Sequence, residues 1–450
     1  MAPHEKFRFR EPGDLLTKAG ALGLHIPFEA DASALFETET AAGMALANRL
    51  AVLPLEGADA DATGAPSDLT FRRYRRFAQG GCGLIWFEAA AVVPEGRANP
   101  HQLAILPGTL EGLRQLVEET RRSWTPPGPR GDGPCLILQL THSGRFSRPG
   151  DARAPVTAVN RPSLDARLGL PGDLRPVSDA DLDGLIEAYV RAARLAAAAG
   201  FTGVDIKACH GYLISDLLSA KSRKDSRYGG TFENRSRFLL EVVRRVRAEA
   251  PKLAVACRLG IYDGTAGSDA FGVDGEDQGR EDLAEPRALL RSLGELGVSF
   301  IGLSLGLPFL RPQLSRPFNT TYDPVEPPEE HPLEGIARIL RLTAKLQAEF
   351  PTMIFVGSGY SWLQRFWPGV AAAALREGVS RMAGLGRAML AYPTALHELA
   401  SRGALDPKKA CTACSRCSRM LRAGVPVGCP VRDAAYERGY KDLGRARRRA

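Results

Sequence analysis

Residues 179–199 read DADLDGLIEAYVRAARLAAAA, and the short apolar run VDIKA follows them at residues 204–208. The first segment is amphipathic and rich in alanine, which predicts a helix, with Ser178 as its N-cap. The second segment predicts a buried strand. The pair is then repeated, because FENRSRFLLEVVRRVRAEA at 232–250 predicts a helix and LAVACRL at 253–259 predicts a strand. Buried strands separated by helices indicate a parallel sheet.

The same alternation continues in both directions along the chain. Predicted strands fall on eight apolar runs, at residues 49–56, 83–90, 136–140, 204–208, 253–259, 300–305, 353–356 and 382–385. Predicted helices follow them at residues 69–78, 109–122, 179–199, 232–250, 283–296, 333–350, 369–377 and 388–402. Eight such units in order predict an α/β fold, a closed (β/α)8 barrel. An open doubly wound sheet is the alternative, but it needs a glycine-rich turn after its first strand, where this chain has GADAD.

The predicted elements divide the chain into three regions. We expect an N-terminal tail over residues 1–20, the barrel over residues 21–402, and a short C-terminal extension over residues 403–450 that contains four cysteines and a basic tail. Two long insertions, at residues 262–279 and 307–332, follow the fifth and sixth strands. They predict lid loops over the mouth of the barrel, with plain surface loops as the alternative.

Composition narrows the class of protein. The chain has 450 residues, 44% hydrophobic residues and a net charge of +8. No apolar window approaches the roughly 18 residues of a membrane span, and residues 1–10 lack the hydrophobic core of a signal peptide, so we expect no membrane contact and a cytoplasmic location. The basic run RRYRR at 72–76 and the terminal arginines raise the alternative of a nucleic-acid-binding protein with a zinc module. That alternative leaves the barrel motifs unexplained, so we expect no nucleic-acid partner.

Two glycine-containing turns predict a phosphate site. Gly357, Ser358 and Gly359 follow the seventh strand, and Gly386 and Arg387 follow the eighth. In a barrel, the loops after these two strands commonly bind phosphate. Glycines let backbone N–H groups approach the phosphate oxygens, and a helix N-terminus with an arginine adds positive potential.

Three polar residues end otherwise apolar strands, namely Gln139, Lys207 and Arg258. A barrel strand that ends in a polar residue commonly presents it to a ligand. An amide and a guanidinium suit the polar edge of an isoalloxazine ring, which becomes anionic on reduction. For Gln139 or Arg258 alone, a structural ion pair is the competing interpretation.

Several motifs resemble the old yellow enzyme family of FMN-dependent ene reductases, whose larger relatives include 2,4-dienoyl-CoA reductase and trimethylamine dehydrogenase. The motifs are HGYL at 210–213, YGGTFENR at 228–235 and QLTHSGR at 139–145, and the resemblance covers roughly residues 20–400. It implies a barrel that binds FMN, a small-molecule substrate and NAD(P)H as a candidate electron donor. Members of that family are often dimers or larger, so a homo-oligomer is an open alternative to a monomer.

The resemblance also implies roles for individual residues. His210 would bind the substrate's activating oxygen together with Lys207, and Tyr212 would protonate the carbon opposite the hydride. The expected cofactor-binding residues are Pro54, Leu55, Glu56, Ala89, Gln139, Arg258, Gly357, Ser358, Gly359, Gly386 and Arg387.

Two residues depart from the pattern of that family. Lys207 stands where the family usually has histidine, and Glu56 stands where it often has threonine or cysteine near the reactive flavin nitrogen. Lys207 would bind a carboxylate or an enolate, or else pair with a nearby acid. A carboxylate beside the flavin would disfavour its anionic reduced form. The departures favour an atypical substrate, an acid, or electron flow reversed toward substrate oxidation.

Four cysteines near the C-terminus, Cys411, Cys414, Cys417 and Cys429, follow the pattern C-x2-C-x2-C-x11-C-P. Four thiolates at such spacing suit a [4Fe–4S] cluster or zinc, and the spacing favours the cluster. The larger relatives carry a [4Fe–4S] cluster after their barrel and then a nucleotide-binding module. This chain ends soon after Cys429, so we expect electrons to be exchanged with a separate electron-transfer protein. The alternative function is therefore an amine- or acid-oxidising dehydrogenase, and a bare electron-transfer subunit is a third.

Overall fold

Eight parallel strands close into a barrel in the computed structural model, which describes residues 4–128, 131–265, 267–277, 279–320 and 328–449, with side chains up to residue 445. The strands are β1 Leu50–Val52, β2 Leu84–Ala91, β3 Cys135–Thr141, β4 Gly203–Ile206, β5 Ala254–Tyr262, β6 Phe300–Leu305, β7 Ile354–Gly357 and β8 Met382–Leu385. β8 pairs with β1 to complete the ring, Ala383 lying opposite Leu50. The predicted barrel is confirmed, although β1 is shorter than the run at 49–56.

A principal helix follows each strand and packs on the outside of the barrel. These helices are Asp68–Gln79, Leu110–Ser123, Asp179–Ala198, Phe232–Glu249, Ala284–Glu295, Pro332–Glu349, Trp367–Arg376 and Ala395–Arg402. The predicted N-cap is present, since the Ser178 hydroxyl accepts a hydrogen bond from the Asp181 N–H at 3.1 Å. Shorter helices occupy the connecting loops, at Pro162–Leu168, Leu213–Ser219, Pro312–Ser315 and Arg387–Ala391.

One predicted helix at the end of the barrel needs correction. The helix predicted over 388–402 is two helices, because Pro393 cannot donate a helical hydrogen bond and its ring restricts the residue before it. Within the predicted N-terminal tail, the structure describes residues 4–20. A helix at Pro12–Ala21 buries Leu15, and the Phe7 N–H donates to Asn319 Oδ1 at 2.8 Å, so this segment packs against the barrel.

The C-terminal extension folds back onto the first barrel unit. It contains the helices Arg416–Arg422 and Ala434–Arg449, and the Val427 N–H donates to the Gly57 carbonyl at 2.7 Å. Asp433 accepts hydrogen bonds from Arg72, at 2.8 Å, and from Arg76. Two arginines of the run RRYRR thus hold the extension in place against the first barrel unit.

Large side chains fill the lower interior of the barrel and leave space at its C-terminal end. Trp86, Ile137 and Phe300 are buried there in one apolar cluster. No helix among the described segments is both long and apolar enough to span a lipid bilayer.

Candidate active site

A cavity of about 530 Å³ opens at the C-terminal mouth of the barrel. Most of the predicted site residues line it, namely Pro54, Leu55, Glu56, Gln139, Lys207, His210, Tyr212, Arg258, Ser358, Gly359, Gly386 and Arg387. Ala89 and Gly357 do not. The Ala89 carbonyl instead accepts a hydrogen bond from Gln102 at 3.0 Å, and a Cβ at Gly357 would lie 2.8 Å from Ser380 Oγ. Gly384, which sequence reasoning missed, lines the cavity on β8.

Asp205 organises the floor of the site, although we did not predict a role for it. Its carboxylate is fully buried and accepts hydrogen bonds from Gln139 Nε2 at 2.5 Å, Trp86 Nε1 at 2.9 Å and the Arg258 N–H at 2.7 Å. Burial raises the pKa of Asp205, and these donors act in the opposite direction. A carboxylate inside an apolar strand was the available signal, since a buried acid requires partners.

Arg258 lies across the cavity from β5 to the end of β1. Its Nη1 donates to the Pro54 carbonyl at 3.1 Å, while its backbone is held by Asp205. Gln139 and Arg258 are therefore fixed by neighbouring groups on the protein, and both present polar atoms to one cavity. This geometry suits recognition of a planar polar edge.

Glu56, Lys207 and Tyr212 form a hydrogen-bonded cluster in the cavity. Glu56 Oε1 accepts from Lys207 Nζ at 2.8 Å and from the Tyr212 hydroxyl at 2.9 Å. Lys207 Nζ also lies 3.6 Å from the centroid of the Tyr212 ring. Burial and the Glu56 carboxylate raise the pKa of Tyr212 well above its ordinary value, so its phenol is protonated at neutral pH. Lys207 thus pairs with an acid of the protein itself, which was one of its two predicted roles.

His210 follows β4 in a sharp turn. It has a φ of 67° and is followed by Gly211 at 74°, so the chain passes through two left-handed residues before the helix Leu213–Ser219. Nε2 of His210 lies 2.8 Å from Ser304 Oγ. Burial, together with the nearby cations Arg258, Lys207 and Arg316, lowers the pKa of His210 well below its ordinary value. The imidazole is therefore neutral, and the strained turn fits a functional position.

The predicted phosphate loops adjoin one another at the cavity wall. Ser358 and Gly359 lie beside Gly386 and Arg387, and Gly359 has a φ of 94°. Arg387 is only 8% exposed; its Nη2 donates to the Pro317 carbonyl at 2.5 Å. Its Nη1 has no hydrogen-bond partner within the described ranges. A buried guanidinium nitrogen without a partner is costly and indicates an anion site.

An aromatic wall borders the cavity beyond Tyr212. The Phe146 ring stacks on the Phe309 ring at 4.2 Å between centroids, and the Tyr212 ring lies 5.7 Å from that of Phe146. Phe309 comes from the predicted lid loop after β6, whereas Phe146 comes from a long loop after β3 that we did not predict as a lid. The predicted lid at 262–279 supplies none of the described lining residues.

The four cysteines surround a second, smaller cavity in the extension. All four are unpaired and partly exposed, and Arg387 lines this space with them. Cys417 and Arg387 also line the mouth cavity, so the two spaces adjoin. The Ala413 N–H donates to Cys411 Sγ at 3.4 Å. No group of three or more His, Cys, Asp or Glu side chains in the described segments is arranged to hold a metal ion.

The sequence matches the model of the NADH:flavin oxidoreductase / NADH oxidase family over residues 34–276, more than half of the chain. The chain belongs to this family. The predicted old yellow enzyme relationship is thereby confirmed. An NADPH dehydrogenase of Clostridium acetobutylicum is 35% identical over 220 residues, which cover 48% of this chain and 61% of that relative. An NADPH dehydrogenase of Bacillus pumilus is 32% identical over 277 residues, which cover 60% of this chain and 73% of that relative. The chain thus spans about three-fifths of the length of the first relative.

Several solved structures share the barrel. A 2-naphthoyl-CoA reductase in complex with 2-naphthoyl-CoA superposes with a TM-score of 0.70 at 20% identity, covering 89% of this chain and 57% of that one. An old yellow enzyme homologue from Zymomonas mobilis superposes with a TM-score of 0.59 at 22% identity. The superposition covers 83% of this chain and 94% of that one. At such identities the superpositions establish the fold alone.

Proposed function

We propose that this chain is an FMN-dependent oxidoreductase of the old yellow enzyme type that reduces an activated C=C bond or runs the reverse reaction. The observation that carries the proposal is the cluster of Glu56, Lys207 and Tyr212, which places a protonated phenol in the same cavity as Gln139 and Arg258. When bound, FMN supplies or accepts the hydride, and the protein residues handle the matching proton.

Residues at both ends of the cavity fit FMN. At one end, the unpartnered Nη1 of Arg387 and the backbone of Gly359 and Gly386 would hold the phosphate. At the other, Gln139 and Arg258 would hold the polar edge of the ring, and the cation would stabilise its anionic reduced form. Family membership supports this assignment.

Tyr212 would act as the proton donor. Its raised pKa keeps the phenol protonated, so the hydroxyl proton is available to the substrate carbon opposite the hydride. The tyrosinate left behind would lie beside the Lys207 ammonium, 3.6 Å from the ring centroid. Glu56 contacts both groups, and its carboxylate would relay to the phenolate oxygen a proton taken up from solvent in the open cavity.

His210 would bind the substrate oxygen. Its neutral imidazole would donate from Nε2 to that oxygen in place of Ser304, and would stabilise the charge that develops there. We assign Lys207 to Glu56 and Tyr212 rather than to a substrate carboxylate, because its ammonium already has a carboxylate partner.

Replacing Tyr212 with phenylalanine tests the proposal. We expect reduction of bound flavin by NADPH to persist, while turnover of cyclohexenone falls by about 10²- to 10⁴-fold, the usual effect of losing a positioned acid. Tyr228→Phe is the matched control, since Tyr228 hydrogen-bonds Asp183 away from the cavity. Unchanged turnover in Tyr212→Phe would remove this residue from its role.

The alternative, a dehydrogenase that passes electrons onward, draws support from the cysteine cavity. Four thiols around a space, with Cys411 also receiving a backbone N–H, fit a [4Fe–4S] cluster, in which each iron takes one thiolate. A structural zinc ion takes four Cys or His ligands at once, and the described residues include no group of three or more such side chains placed around one ion. Residues 407–432 contain no Asp or Glu, so this segment would attract an acidic electron-transfer protein.

A further inference from the structure

We propose that the mouth cavity contains a second anion site, formed by Arg148, Arg153 and Arg167, that binds the anionic tail of a substrate with a flat apolar head. The inference rests on the proposed flavin-dependent function and names its substrate class. All three arginines lie on the long loop between β3 and the helix Asp179–Ala198, and all three line the cavity.

The charge of the cavity lining is strongly one-sided. The lining includes seven arginines and Lys207, whereas Glu56 is the one carboxylate among the described lining residues. Clefts lined by one sign of charge attract ligands of the opposite sign. The phosphate and reduced ring of FMN would account for Arg387 and Arg258, and Glu56 neutralises Lys207. The remaining cations exceed what the flavin requires.

Arg148, Arg153 and Arg167 differ from the two buried arginines of the same loop, Arg145 and Arg161, whose guanidinium groups are paired with Asp165, Asp216 and Asp263. Arg153 and Arg167 are exposed, and neither forms a hydrogen bond or ion pair with the described residues. Arg148 is also exposed; its side chain donates to the Asp151 carbonyl at 3.2 Å and to no carboxylate that the structure describes. Their guanidinium groups are therefore available to a ligand that enters the cavity.

The position of these cations indicates what kind of ligand they would bind. Arg148 lies two residues after Phe146, and Arg167 directly precedes Leu168, which packs in one apolar cluster with Phe146 and Tyr212. The cationic side chains thus adjoin the apolar cluster that forms this wall of the cavity. A ligand with a planar apolar head would stack along Phe146 and Phe309 toward Tyr212, and its anionic tail would meet the arginines. The tail chemistry is a carboxylate or a phosphate.

Binding to the FMN-loaded enzyme tests the site with two matched probes, para-carboxybenzylideneacetone and its methyl ester, by isothermal titration. In the double variant Arg153→Ala/Arg167→Ala, we expect the Kd of the acid to rise about 10-fold, because each of the two lost charge contacts contributes about 0.7 kcal/mol of binding free energy. The Kd of the ester should change less than about 2-fold. Arg175→Ala is the control, because Arg175 is exposed on the same loop and does not line the cavity. The acid should also bind more weakly as salt increases in the wild type, and this dependence should weaken in the double variant.

The two tail chemistries are separated by competition with ADP. Displacement of the acid by ADP in the wild type but not in the double variant would assign the site to phosphate, and absence of displacement would assign it to carboxylate. Equal affinity of acid and ester in the wild type, or equal losses for both in the double variant, would overturn the anion site. If the wild type instead fails to bind FMN or to reduce the ester, the proposed function itself is wrong.

Discussion

Replacing Glu56 with glutamine removes one negative charge from the cavity and leaves the size of the side chain nearly unchanged. In the wild type, Glu56 Oε1 accepts hydrogen bonds from both Lys207 and Tyr212. The amide oxygen of glutamine still accepts a hydrogen bond, but it no longer neutralises the ammonium or repels a tyrosinate. Two consequences follow, one for stability and one for the pH dependence of turnover.

The loss of stability is set by the burial of Lys207. Its side chain is 3% exposed and that of Glu56 is 11% exposed. Removing one partner of a fully buried pair costs about 3–5 kcal/mol. Because Glu56 retains some solvent contact and glutamine keeps an acceptor, we expect the free energy of unfolding to fall by about 1–3 kcal/mol, measured by urea denaturation.

The effect on pH dependence has a definite sign. Burial first and the Glu56 carboxylate second raise the pKa of Tyr212, so Glu56→Gln should lower it toward the ordinary value of about 10. Turnover needs the protonated phenol and declines as pH passes that pKa. The alkaline limb of the rate profile for cyclohexenone should therefore lie at lower pH in Glu56→Gln than in the wild type.

Glu29→Gln provides the matched control, since Glu29 is a surface partner of Arg376 far from the cavity lining. It should leave the alkaline limb and the free energy of unfolding unchanged within error. Superimposable alkaline limbs for Glu56→Gln and wild type, at equal FMN content, would refute the coupling between Glu56 and Tyr212.

Three further substitutions test other parts of the site. Asp205→Asn should lower the free energy of unfolding by about 1–3 kcal/mol, because an amide cannot accept from all three donors. It should also shift the absorbance bands of bound flavin, and an unchanged spectrum would argue against the role of Asp205 in positioning Gln139 and Arg258. Burial lowers the pKa of His142 to about 4, so the folded state stays neutral while the unfolded chain takes up a proton. As pH falls from about 6.5 to 4, the free energy of unfolding of the wild type should therefore fall by about 2–3 kcal/mol more than that of His142→Asn. Parallel plots of unfolding free energy against pH for the two proteins would contradict this. Cys417→Ser should lower the iron and sulfide content of anaerobically purified protein, whereas zinc in the wild type would exclude the cluster.

The barrel was predictable because its strands are buried on both faces and separated by amphipathic helices. β6 and β8 have the bounds read from the sequence, and the other strands differ by a few residues at their ends. The error at β1 has a physical source. Its apolar run continues as Leu53, Pro54 and Leu55, which line the cavity beyond the end of the strand. The Leu53 N–H still donates to the Leu385 carbonyl of β8 at 3.0 Å, and the ladder ends there. Apolarity marks burial and does not distinguish a strand from a cavity wall.

The functional residues were predictable where their chemistry is unusual for their position. Polar ends of apolar strands led to Gln139, Lys207 and Arg258, and all three line the cavity. The hydrogen bonds that these residues make with other parts of the chain were not predictable. Glu56 and Lys207 lie 151 positions apart in sequence and meet only when β1 and β4 converge at the mouth. The β3 loop was missed because its polar, proline-containing sequence has no periodicity that indicates a lid.

The most direct test of FMN binding at the barrel mouth is a titration of the wild type and of Arg387→Met with FMN. We predict one FMN per chain, detected by quenching of flavin fluorescence on titration, and about 10- to 100-fold weaker binding in Arg387→Met, because a buried charge-assisted contact to phosphate contributes about 1.5–3 kcal/mol. A wild type that remains colourless and does not bind added FMN would contradict the account. Equal affinity of the wild type and Arg387→Met would contradict the phosphate site.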